Sequence, residues 1–283
     1  MPIGEYYVLR LFDGEITFLE NAEGGCIYAE VVSEHSRPQG CVKKHIGKPQ
    51  YGAFTLQVGS TLSRVLFDWI AASWQSPDTR RDGAVLVCDT AFTIRSERRF
   101  SHARIERVEF SALDSSSEEP GYLTVRIAPE NSTIKTGAGK LALDSLGQHR
   151  LWRTSNFRLE IDGLETDGVT RIEPFAVRHI PGSKVSRIDF PDLEVSLSQP
   201  RAQSWIDWHQ QFVIEGYNGE RYEKEGAIRF LAPDSETELA RIDLHNLGIF
   251  RLAYEPGDGN GTGGLRAGLY SEWMEFHLGE AES

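Results

Sequence analysis

A chain of 283 residues, 40% hydrophobic and 25% charged, has the length and composition of two ordinary folded domains. Its formal net charge of −12 disfavours plain binding to a nucleic-acid backbone, which requires a basic face. The three cysteines, Cys26, Cys41 and Cys88, are odd in number, confined to the first half and free of Cys-x-x-Cys spacing, so reduced thiols in a cytosolic setting are expected rather than a disulfide framework.

The opening MPIGEYYVLRLF has no basic segment followed by an apolar run, and no stretch approaches ~18 apolar residues; neither a leader nor a membrane span is expected. YYVLRLFDGE reads as a strand closed by Asp13-Gly14, a pair that supplies the positive φ of a tight turn. Ser33 to Gln50 reads as a long polar loop, a basic island holding Arg37, Lys43, Lys44, His45 and Lys48. The strand AFTLQV, with Phe54, Leu56 and Val58 on one face, leads into a helix. Leu62, Val65, Leu66, Trp69 and Ile70 form that helix's apolar stripe, and Ser60 or Thr61 can cap it. GAVLVCD and ARIERVEFSAL read as paired strands, and YLTVRIA as the closing one. Asn131 to Arg153, broken by Gly137, Gly139 and Gly147, reads as a linker.

The second half repeats this order. NFRLEIDGLE is again a strand ending in Asp-Gly, at Asp162-Gly163. A second polar segment, Val177 to Pro191, carries Arg178, His179, Lys184 and Arg187. The strand DLEVSL precedes a helix with Trp205, Trp208, Phe212 and Val213 on its stripe and Pro200 in its first turn. GAIRFLAPD, LGIFRLAYE and a closing WMEFHL answer the strands of the first half. The pair Asp68-Trp69 returns as Asp207-Trp208, close to half the chain further on, and the other matched elements keep nearly the same separation in the same order. A tandem duplication follows: mainly β, about seven strands and one helix per domain, each a β-sandwich or small barrel, with domains at 1–130 and 154–283 joined by 131–153.

Motifs for chemistry are missing or incomplete. TGAGKLA (136–142) has Ile134 and Leu141 where a phosphate loop needs its first glycine and its hydroxyl. GDGNGTGG (257–264) does not open a helix after a strand and reads as a hairpin loop. The eight histidines are scattered, DSETE (234–238) lacks the glycine and terminal Glu of a calcium loop, and no GxSxG marks a nucleophile. No catalytic residue, cofactor or metal is expected. The basic islands, set in an acidic chain, read either as solvated loops or as arms that dock on an acidic face of a neighbouring copy.

The order strand, Asp-Gly turn, polar loop, YGAFTLQVGST and Trp-containing helix resembles the tail-tube proteins of contractile phages and of phage-tail-like injection particles, and more distantly the tube of type VI secretion. Tyr51, Phe54, Thr55, Leu56, Gly59, Thr61 and Trp69 match in kind, as do Leu193, Val195, Leu197 and Trp208 in the second half. Gln57-Val58 stands where the family often has Lys-Arg, and Gln199-Pro200 replaces its glycine. The resemblance implies a tandem tail-tube-like fold and a structural, non-enzymatic role. Single-domain members form six-membered rings, so a fused pair implies self-association into a ring of three chains with pseudo-sixfold symmetry. It also implies other tail, tube or baseplate proteins as partners, without membrane or sequence-specific nucleic-acid binding, and assembly in the cytoplasm into a tail-like particle. Two other readings stand beside it: a β-sandwich binding module unrelated to tails, and an enzyme with its site between the halves.

Overall fold

A computed structural model describes residues 5–12, 16–34, 42–59, 64–141, 152–182, 186–256 and 263–279. The first half runs β1 (Glu5–Leu11), β2 (Ile16–Leu19), β3 (Asn21–Gly24), β4 (Ile27–Glu34), β5 (Lys43–Tyr51), β6 (Phe54–Val58), α1 (Arg64–Gln75), β7 (Arg80–Asp89), β8 (Ile94–Phe110), β9 (Leu113–Asp114), β10 (Leu123–Ala128) and β11 (Asn131–Thr136). The second runs β12 (Phe157–Ile161), β13 (Val169–Ile172), β14 (Phe175–Ile180), β15 (Arg187–Asp189), β16 (Leu193–Ser198), α2 (Gln203–His209), β17 (Lys224–Leu231), β18 (Glu238–Glu255) and β19 (Gly264–Leu278).

The duplication is written into the strand pairing. One sheet carries the order β1-β7-β8-β10-β6-β3 and the other β12-β17-β18-β19-β16-β13, so these six strands of one half have counterparts in the other, while β2, at the edge beside β1, has none among the described residues. Even the irregularities repeat. β7 and β8 slip register between Arg81 and Gly83, where His102 takes φ 50°; β17 and β18 slip between Lys224 and Gly226, where Asn246 takes φ 53°. An extra residue in the left-handed region lets one strand bulge against its partner, and each half places that residue at the same point of the same strand pair. Facing each bulge is a glycine with no room for a side chain: a Cβ on Gly83 would lie 2.6 Å from the Phe100 ring, and one on Gly226 2.6 Å from the Glu160 carbonyl.

The alternating apolar positions point into one continuous core that includes residues of both halves. Phe54, Leu56 and Val58 are buried on β6, as are Leu193, Val195 and Leu197 on β16. Helix α1 buries Leu66, Phe67, Trp69, Ile70 and Trp74, an arc wider than the expected stripe. The reason is its position: Phe67 stacks on Phe276 of β19 at 5.0 Å while Trp74 meets Phe110 of β8, so the helix is covered from both halves.

Four expectations change. The polar segments are hairpins, β4–β5 and β14–β15, rather than loops. Asn131–Thr136, expected to begin the linker, is β11 and pairs with β8 from Ser96 to Ser101. The closing strands also match differently: both β10 and β11 correspond to the single long β19, which pairs β18 along its length. Val213 is exposed, because after α2 the chain continues in a π-helical turn, Gln210–Ile214, that keeps Phe212 buried and turns Val213 outward. The Asp13-Gly14 turn, the Ser60/Thr61 cap, Leu62, Cys41 and Gly147 lie outside the described residues.

Candidate assembly surface

The two halves exchange strands at one corner. After Phe110 the first chain segment leaves its own sheet and, as β9, pairs with β13 of the other: Leu113 faces Ile172 and Asp114 faces Arg171. The opposing segment does the reverse. Past Ile172 it leaves the second sheet and, as β14, lies on β8, with Phe175 facing Phe110, Val177 facing Val108 and Arg178 facing Arg107. β14 takes the edge of β8 that β7 vacates beyond Arg104. All four apolar side chains of this junction are buried, and the rings of Phe110 and Phe175 stack at 4.8 Å and 12°. Backbone ladder and apolar face together make this an ordinary sheet contact, formed between two copies of one module.

A polar lock closes the corner. Arg171 Nη1 donates to Asp114 at 2.6 Å and its Nε to Glu173 at 2.9 Å. The Ser116 hydroxyl and amide, with Arg171, hold the Asp114 carboxyl below its ordinary range against a partial burial that opposes them. A polar hollow beside it is lined by Glu109, Ser111, Asp114, Glu119, Thr154 and Arg171; its arginine is committed to this lock.

The expected contact residues divide between the two hairpins. Lys43, Lys44, His45 and Lys48 all lie exposed on β5. Arg178 and His179 lie on β14, where the structure makes a contact within the chain, and Arg187 is exposed on β15. Arg37 and Lys184 fall outside the described residues. His179 is buried, and that burial, helped by Arg104, pushes its imidazole below the ordinary value of 6.5; a backbone contact at Ile105 and the charge of Glu106 act the other way.

The counterpart of the docked hairpin is undocked. Among the described residues β4 pairs with β5 alone, and the hairpin exposes Ile27, Tyr28, Val31, Val32, Val42 and Ile46, Val31 to 63% and Ile46 to 73%. The counterpart of the receiving edge is bare as well. β17 covers one edge of β18 only as far as Leu247, so Gly248 to Glu255 has no strand on that side among the described residues. Phe250 and Tyr254 are exposed there. Unpaired apolar edges of this kind are what soluble proteins normally blunt. Nothing in the sequence flagged these positions as a site; the period-2 pattern of LGIFRLAYE predicted a strand without showing that one edge is left open.

Other chemical candidates are ordinary. Asp243, Glu275 and His277 place ligand-type atoms within 4.8 Å of one another, but Asp243 already pairs with Arg241 at 2.8 Å and His277 at 3.1 Å. The DSETE turn closes on itself, Asp234 accepting from the amides of Glu236 and Thr237 and from the Thr237 hydroxyl. Gly137 to Leu141 packs back on the first sheet, with Leu141 buried and its amide bonded to the Phe92 carbonyl. Cys26 is exposed and Cys88 buried; both are free, and burial raises the Cys88 thiol. Among the described residues no helix is long and apolar enough to cross a membrane.

No family model and no curated protein matches the chain. Solved structures do. The tube-terminating cap of the anti-feeding prophage is 19% identical with a TM-score of 0.41, covering 46% of this chain and 87% of that one. A chain of the sheath–tube complex of the PVC extracellular contractile injection system is 17% identical with a TM-score of 0.40, covering 46% and 88%. Hcp1 from Flavobacterium johnsoniae is 20% identical with a TM-score of 0.32, covering 48% and 99%.

Proposed function

We propose that this chain is a structural component of a phage-tail-like particle, a tube or tube-end protein that closes into a ring of three chains. Six copies of one module then stand around a pseudo-sixfold axis, in two alternating kinds. The observation that supports this reading is the shared topology of the halves together with their strand exchange. A module that binds its own copy through a hairpin on one side and a bare edge on the other makes a heterologous contact, and heterologous contacts close into rings when the rotation from copy to copy completes a turn. The tail assignment rests on the sequence pattern from Tyr51 to Trp69 and its second occurrence. Neighbouring tail, tube or baseplate proteins are its partners in this reading. The basic residues Arg37, Lys43, Lys44, His45 and Lys48 belong to its contacts between chains.

Light scattering on the purified chain, followed by imaging of the particles, tests it. Three times the 31.8 kDa chain mass and particles with a central hole are expected. A species of 31.8 kDa at every concentration overturns it.

A further inference from the structure

We infer that the β4–β5 hairpin of one chain adds to the bare edge of β18 in a second copy, in the register that β14 uses on β8. This rests on the ring reading above and names the contact that builds it.

The register follows from the repeat. Ile172 faces Val195 at the centre of β16, and Ala22 faces Leu56 at the centre of β6, so Ile172 and Ala22 are equivalent and β14 is the counterpart of β4. The repeated bulges make His102 and Asn246 equivalent in the same way, which aligns β8 with β18. The four pairs of the internal junction translate accordingly. Phe175–Phe110 becomes Gly25–Tyr254, Ala176–Glu109 becomes Cys26–Ala253, Val177–Val108 becomes Ile27–Leu252, and Arg178–Arg107 becomes Tyr28–Arg251. The pairing of β4 with β5 follows the same alignment, Tyr28 facing Gln50 as Arg178 faces Asp189.

Side chains fit that register. Ile27 and Leu252 replace the buried valine pair, and both are solvent-accessible in the single chain. Gly25 stands where Phe175 does, with φ 66° and the Phe54 ring filling its side-chain position, so the ladder begins at Cys26, and Tyr254, 61% exposed in the single chain, lies beyond its end. Charge fits as well. β4 runs antiparallel to β18, so beyond Tyr28 it heads toward the start of β17 and must pass over the segment before it. That segment, Glu215 to Glu223, has three acids, Glu215, Glu220 and Glu223, against Arg221 alone. The hairpin brings Lys43, Lys44 and Lys48 against Glu30 and Glu34, and Glu34 already lies 3.8 Å from His45.

Opposed residues in an antiparallel pair have Cα atoms about 4.5–5.5 Å apart, inside the window of about 4.4–6.8 Å that a disulfide spans. The exposed thiol of Cys26 is therefore a built-in probe. The variant Ala253→Cys, in a Cys41→Ser background, is oxidised mildly and run without reductant, with the mass of the unmodified chain measured alongside. The expected result is a ladder of covalent dimers and trimers that is lost in Cys26→Ser and absent when the cysteine is placed at Glu272 instead. A second variant, Ile27→Lys, is expected to bring the assembly down to 31.8 kDa. If the chain assembles by mass but the ladder fails to form, or if Ile27→Lys assembles normally, this contact is wrong and the ring reading survives. If the chain stays at 31.8 kDa and no ladder forms, both fall.

Discussion

Replacing Phe110 with alanine tests whether the two halves are one cooperative body. The Phe110 ring is 1% exposed and contacts four others: Phe175 at 4.8 Å, Phe230 at 5.7 Å, Phe276 at 6.0 Å and Trp74 at 6.2 Å. Three of those rings come from the second half. Truncating a buried Phe costs about 3–5 kcal/mol, and each lost ring pair contributes about 0.5–1.5 kcal/mol of that, so the loss belongs near 4–5 kcal/mol. With a urea slope of about 3 kcal/mol per molar, the midpoint falls by about 1.5 M. Tryptophan fluorescence and far-ultraviolet circular dichroism in urea read this out. Trp74 and Trp152 lie in this part of the core, Trp205 and Trp208 on the buried face of α2, so both regions report. A single transition displaced as a whole is expected. The reasoning fails if part of the signal unfolds at the unmodified midpoint, or if the total loss stays below about 2 kcal/mol.

Three further outcomes are expected. Gly83→Ala and Gly226→Ala each insert a methyl where none fits and cost about 1–3 kcal/mol, whereas Gly219→Ala, with open space around it, leaves the denaturation midpoint unchanged. His179 is held neutral by burial, so the unfolded chain binds more protons than the folded one below pH 6.5, and stability falls as pH falls through that value toward the lower folded one. Urea midpoints from pH 7.5 to 5 should therefore drop more steeply in the natural chain than in His179→Phe, and equal slopes would refute the assignment. Arg171→Met removes both ion pairs of the corner lock, to Asp114 and to Glu173, and costs about 1 kcal/mol at neutral pH. Asp114, with its carboxyl held low, contributes stability above its ordinary value of 3.8 that is lost as pH falls through the lower folded one; the difference between natural chain and variant should shrink there.

The repeat was legible because it sits where burial writes a strong pattern. Phe54, Leu56 and Val58 alternate on β6, Leu193, Val195 and Leu197 on β16, and tryptophans mark both helices. The hairpins were read as loops because β5 is exposed along nearly its whole length, and a strand with no buried face has no alternation to show. β11 has one buried residue, Ser132, and passed as linker for the same reason. The strand exchange was out of reach: β9 is two residues long, and which sheet a strand joins is set by contacts between residues far apart in sequence. Of the candidate surface, composition exposed the basic tip, while the bare edge of β18 depends on where β17 ends.

The exchange at the corner has a consequence for how this chain could be divided. Severed between Leu141 and Trp152, the front fragment would keep β9 with no ladder to lie on, and the back fragment would keep β14 likewise. Each would be an unfinished object whose missing margin is supplied by the other. Co-expression should then rescue two pieces that are insoluble when made singly, turning the fusion into a split pair that reassembles by complementation.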